Sequence, residues 1–131
     1  MDYGFYAEIA GTFDEVVERV MAQLKTEGFG VLSDIDMQKA MKEKIGEDIP
    51  AYRILGACNP PLAFQALQSE SNIGLLLPCN VIVRDSGQGM ITVGFLNPDV
   101  MVELTSNPAV QAVAEDASAR LHRVHDALVA S

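Results

Sequence analysis

The chain has 131 residues, 49% of them hydrophobic, a size and composition that suit one compact domain spanning 1–131 and exclude a disordered chain. Its formal net charge of -9, with a pI of about 4.5, argues against nucleic acid and against anionic membrane surfaces as partners.

Taken in order, Tyr3 to Ile9 is an aromatic and β-branched run that predicts a first strand. "TFDE" follows, where Thr12 and Glu15 form a capping box. The next helix carries Phe13, Val16, Val17, Val20, Met21 and Leu24 on one stripe, and Gly28 ends it. "FGVLSDI" reads as a second strand. Asp36 then caps a short helix with Met37, Ala40, Met41 and Ile45, closed by Gly46. "AYRILGAC" is the third strand, and Asn59-Pro60 opens a helix with Leu62, Ala63, Ala66 and Leu67.

"NIGLLLPCNVIVRD" reads as a buried strand interrupted by Pro78, where a bulge, an edge or a break is expected because proline donates no ladder hydrogen bond. "DSGQG" makes a hairpin turn into "MITVGFL", the last strand. Asn97-Pro98 opens a short helix and Asn107-Pro108 a long one, with Val110, Val113, Ala114, Ala117, Leu121, Val124 and Leu128 on one face. Asn-Pro thus recurs at three helix starts, where asparagine accepts an orphan N–H and proline has none to lose. The order predicts an α+β two-layer sandwich: a mixed or antiparallel sheet of about five strands with helices on one face. An apolar second face needs a cover, and a homodimer is the simplest one.

The first residues lack a basic segment followed by an apolar block, and no run approaches the length needed to span a bilayer. A cytoplasmic protein with two reduced cysteines is expected.

Read together, "TFDEVVERVMAQLKTEGFGVL", "YRILGACNPPLAFQAL" and "IGLLLPCNVIV" resemble the domain of unknown function 302 family over nearly the whole chain. The resemblance implies a small, dimeric α/β domain without a settled activity. Its signature falls on Tyr52, Arg53, Gly56, Cys58, Asn59, Pro60, Pro78, Cys79 and Asn80.

Chemistry in this stretch rests on the thiols. The dipeptide Cys-Asn occurs at Cys58-Asn59, closing a strand, and at Cys79-Asn80, opening one. If those strands are antiparallel neighbours, the thiols share one sheet edge; if a crossover makes them parallel, they lie at opposite edges. Cys58 precedes a helix start, where free N–H groups favour a thiolate or an anion. Yet no Lys, Arg or His lies between Ile54 and Val83 to activate it. Arg53 is five positions away on the same strand, on the opposite face. His122 and His125 are the only histidines and sit off the apolar stripe of their helix, so solvent exposure is expected. No zinc spacing, phosphate loop, HExxH or GxSxG is present.

Buried packing of both cysteines is therefore one reading. Another is a pocket for a small molecule or partner, using Cys58, Asn59, Pro60, Cys79, Asn80, Tyr52 and Arg53. Thiol redox or soft-metal handling by Cys58 and Cys79 is a third, and a structural dimer without chemistry a fourth. No metal site is assigned, the cofactor is unknown, and the balance leans away from an enzyme.

Overall fold

Local sequence signals account for most of the element boundaries. The computed structural model describes residues 2–130. The strands are β1 (Gly4–Ala10), β2 (Gly30–Asp36), β3 (Tyr52–Cys58), β4 (Cys79–Gly87) and β5 (Met90–Leu96). The helices are α1 (Phe13–Thr26), α2 (Met37–Ile45), α3 (Pro60–Ser69), α4 (Asp99–Thr105) and α5 (Gln111–Ala130).

Capping residues set the helix ends. The Thr12 hydroxyl accepts the Glu15 N–H at the start of α1. The Asp36 carboxylate accepts the Lys39 N–H at 2.9 Å and opens α2. Gly28, at φ +85°, lets the chain leave α1 while the Phe29 N–H reaches back to the Leu24 carbonyl at 3.0 Å. Asn59 caps α3 by accepting the Leu62 N–H, Asn97 accepts the Asp99 N–H from one position before the Pro98 cap of α4, and Asn107 caps by accepting the Ala109 N–H. The last of these opens a 3-10 turn, Pro108–Val110, that leads into α5.

The five strands form one antiparallel sheet in the order β1-β5-β4-β3-β2. The fold is an α+β sandwich. Alternation along each strand sends Ala7, Ile9, Leu55, Ala57, Val81, Val83, Ile91, Val93 and Phe95 into the core under the helices. Val16, Val20 and Leu24 of α1 and Val113, Leu121, Val124 and Leu128 of α5 meet them, all nearly inaccessible. The apolar stripes read from the spacing of these two helices are thus the buried faces. By contrast, α2 buries no residue fully, and its Ile45 is exposed.

The run from Ser71 is not a strand. Ser71–Leu76 is a 3-10 helix with Ile73 buried and Leu75 exposed. β4 starts only after Pro78, whose peptide bond with Leu77 is cis. Pro78 is therefore a break, one of the three outcomes expected at that position. The physical reason is placement: a proline just ahead of a strand forfeits no ladder donor.

The opposite face of the sheet carries no helix-facing core residues. By register it presents Gly4, Tyr6, Glu8, Ile35, Ile54, Gly56, Cys58, Asn80, Ile82, Arg84, Thr92, Gly94 and Leu96, with the Thr92 hydroxyl donating to the Glu8 carboxylate. Tyr6 lies across two glycines: a Cβ added at Gly94 would sit 3.1 Å from its ring, and one at Gly4 would sit 3.0 Å from its hydroxyl. Tyr3, Tyr6 and Ile35 remain substantially exposed on this side.

Candidate functional site

The β3–β4 register decides where the cysteines lie. The strands are antiparallel neighbours, with Ala57 opposite Cys79 and Gly56 opposite Asn80. The end of β3 and the start of β4 therefore occupy the same end of the sheet, and the two thiols with them. Both are free. Both border one apolar cavity of about 30 Å³, together with Phe29, Asn59, Leu62, Ala66, Leu77, Pro78, Met101, Val113 and Ala117. Cys79 is buried and Cys58 half-buried. The volume accommodates about one or two water-sized bodies.

The walls of this cavity come from five places in the chain. Phe29 follows the glycine that ends α1. Leu62 and Ala66 are one turn apart on α3. Met101 lies on α4, and Val113 and Ala117 lie on α5. Pro78, just ahead of β4, lies against Gly56, where an added Cβ would sit 2.7 Å from its ring Cγ. This packing is the structural reason for a glycine at position 56.

Asn59 is almost completely buried, and both polar atoms of its side chain are hydrogen-bonded. Its Oδ1 accepts the Leu62 N–H at 3.4 Å, and its Nδ2 donates to the Glu27 carbonyl at 3.2 Å. That carbonyl also accepts from Arg120 Nη1 at 3.0 Å. Arg123 donates to the Glu27 carboxylate at 2.8 Å, which holds that carboxyl below its ordinary range. Asn59 thus locks the end of α1 to the start of α3.

One consequence corrects the expectation of free amides beside Cys58. Pro60 and Pro61 have no N–H, the Leu62 N–H goes to the Asn59 side chain, and the Ala63 N–H goes to the Asn59 carbonyl at 2.9 Å. The first turn of α3 therefore has no spare donor for an anion.

The thiols are neutral at physiological pH. Burial pushes the Cys58 thiol up. Burial, and secondarily the nearness of Cys58, pushes Cys79 from 9.0 to about 11. A raised pKa in the folded state means that stability is complete below pH 9 and falls as pH rises through 11. We expect a loss on the order of 2–3 kcal/mol across that window. Urea midpoints measured from pH 8 to 11 will show it in the wild type and show a smaller loss in Cys79→Ala, where Cys58 still titrates.

The seven residues read as a candidate site do not form one cluster. Cys58, Asn59 and Cys79 border the thiol cavity, and Pro60 is the first residue of α3 beside it. Asn80 faces the other side of the sheet, in a groove with Tyr3, Tyr6, Ile82 and Gly94. Tyr52 and Arg53 lie at the far end of β3 and border a separate polar cavity with Thr12, Asp14, Asp36 and Gln38. Arg53 pairs there with the Asp34 carboxylate.

Of the two histidines, His125 differs from the expected exposure. His122 is solvent-exposed, yet its ring stacks on Phe5 at 4.0 Å. His125 is only 24% exposed and bridges the Tyr6 carbonyl and the Asp126 carboxylate, at 2.8 Å and 2.9 Å. Neither borders the thiol cavity. Conversely, Met101 does border it and was not marked by any motif, because helix packing brings it there from far along the chain.

The family model described as domain of unknown function DUF302 matches residues 5–128. The chain belongs to the DUF302 family. The crystal structure of an uncharacterized conserved DUF302 protein from Bacillus stearothermophilus superposes with a TM-score of 0.89 at 28% sequence identity, covering 98% of this chain and 99% of that one. No curated protein matches. DUF302 membership accounts for the fold, and of the signature that carried the resemblance, Cys58, Asn59, Pro78 and Cys79 of this DUF302 chain border the thiol cavity. Among the described residues, no helix is long and apolar enough to cross a membrane.

Proposed function

We propose that this DUF302 protein is a binding protein whose ligand enters the apolar cavity edged by Cys58 and Cys79, and that two copies associate through the open sheet face. The observation that carries the ligand reading is the single apolar cavity that Cys58 and Cys79 both border, at the sheet end that the β3–β4 pairing gives them in common. Its walls contribute no charged side chain, and the α3 amides are already used. Pockets for drug-sized molecules run to roughly 300–1,000 Å³, so the occupant here is far smaller. The neutral thiols weigh against nucleophilic or redox catalysis, which needs a thiolate.

The test is a methyl and amide NMR titration with small neutral compounds and soft metal ions. The reading expects shifts confined to Cys58, Leu62, Ala66, Cys79 and Met101. It fails if every compound leaves those signals unmoved.

The dimer reading rests on Tyr3, Tyr6, Ile35 and their neighbours on an uncovered apolar face. Light scattering is expected to give twice the chain mass for the wild type and the single mass for Ile82→Lys. A monomeric wild type at micromolar concentration would remove this part of the proposal.

A further inference from the structure

Three sulfur-bearing residues border the cavity: Cys58, Cys79 and Met101. They reach it from β3, β4 and α4, so the fold, and not one local motif, gathers them. The rest of the wall is mostly hydrocarbon, including Phe29, Leu62 and Val113. The one buried polar side chain there, Asn59, has its oxygen and its nitrogen both engaged elsewhere. A ligand in this space therefore meets sulfur or hydrocarbon, with no spare oxygen or imidazole. The volume suits a single ion better than an organic molecule.

Soft thioether and thiolate donors select soft ions such as Cu(I), whereas structural zinc takes four donors and calcium or magnesium takes oxygen. No group of three or more His, Cys, Asp or Glu that could hold an ion occurs among the described residues. We propose that the cavity is a soft monovalent-cation site, in which Cu(I) is held by the Cys58 and Cys79 thiolates and the Met101 thioether. This rests on the cavity being the ligand site. Binding replaces the two thiol protons, which leave to solvent, and the copper stays Cu(I). The bound set carries one net negative charge, at the half-exposed end of the cavity where Cys58 lies.

The experiment is an anaerobic titration of the full chain with Cu(I) against a chromogenic Cu(I) chelator, run beside Ag(I) and Zn(II) in reducing buffer. One equivalent of Cu(I) or Ag(I) per chain is expected, with Zn(II) not retained. Met101→Leu conserves volume, so its melting temperature without metal should match the wild type while its Cu(I) affinity falls at least about tenfold, since even outer-sphere changes at metal sites cost roughly 10–100-fold. Cys58→Ser and Cys79→Ser should abolish uptake. If those variants do not fold, NMR of the wild type with Ag(I) serves instead, with the Cys58 and Cys79 β-carbons and the Met101 ε-methyl expected to shift together. Wild-type affinity in Met101→Leu, absent uptake, or equal retention of Zn(II) would overturn the proposal. Cavity signals that respond to neutral compounds but not to Ag(I) would overturn the metal and leave the ligand site standing. Silence toward both would remove the two together.

Discussion

Replacing Asn59 with alanine is expected to cost about 2–3 kcal/mol, the sum of a lost helix cap and a lost buried hydrogen bond. The residue is only 7% exposed, its oxygen caps α3 through the Leu62 N–H, and its amide nitrogen holds the Glu27 carbonyl at the end of α1. Alanine removes both contacts. The Glu27 carbonyl keeps Arg120, so it is not orphaned, and this limits the loss. Thermal melting should fall by about 10 °C in a chain of this length. Asn59→Ser separates the two roles. Serine retains a capping oxygen but is too short to reach Glu27, so it should recover part of the loss and no more. A melting temperature within about 2 °C of wild type for Asn59→Ala would mean that the two helices are held by other means.

Gly56→Ala is expected to destabilise by about 1–3 kcal/mol, or more, through overpacking. The added methyl would overlap the Ser33 hydroxyl and sit 2.7 Å from the Pro78 ring. Serine can turn away; a proline ring at the entry to β4 cannot. Gly56→Ala combined with Ser33→Ala should therefore remain destabilised, because the Pro78 contact persists. Pro78 borders the thiol cavity, so the same substitution should also disturb ligand signals there. Gly94→Ala makes a useful comparison. Its Cβ would meet the side chains of Ile82, at 2.9 Å, and Tyr6, at 3.1 Å. Those chains lie on the open face with room to move, so a smaller loss is expected. Equal denaturant midpoints for Gly56→Ala and wild type would contradict the packing described here.

These two residues show what local sequence does and does not reveal. Asn59-Pro60 announces a helix start because capping is a local interaction, and the same holds for Thr12, Asp36, Asn97 and Asn107. The stripes of α1 and α5 are likewise local periodicities. The tie from Asn59 to Glu27 and the closeness of Gly56 to Pro78 depend on strand pairing between distant segments, which no window of sequence contains. Whether Cys58 and Cys79 share a sheet end was open for the same reason: adjacency in an antiparallel sheet and separation across a crossover are both compatible with the same strands. The run from Ile73 to Leu77 looked like a strand because a short apolar stretch has no helical period to read. It folds as a 3-10 turn that buries Ile73 and exposes Leu75. The supposed free amides of α3 disappear once the consequence of two prolines is followed through: they remove donors, and Asn59 takes the next two. Met101 escaped notice because a methionine on a short helix has no signature, and only tertiary packing sets it beside the thiols.

The side of the sheet to which Cys58 turns tests the account most directly. Cys58 is offset by one position from the residue opposite Cys79, at the point where β3 gives way to α3. Through-space NMR contacts of its β protons report its surroundings in the free protein. The account predicts contacts from both Cys58 and Cys79 to the ε-methyl of Met101 and to Leu62. Contacts from Cys58 confined to open-face neighbours such as Ser33, with none to Met101 or Leu62, would contradict it.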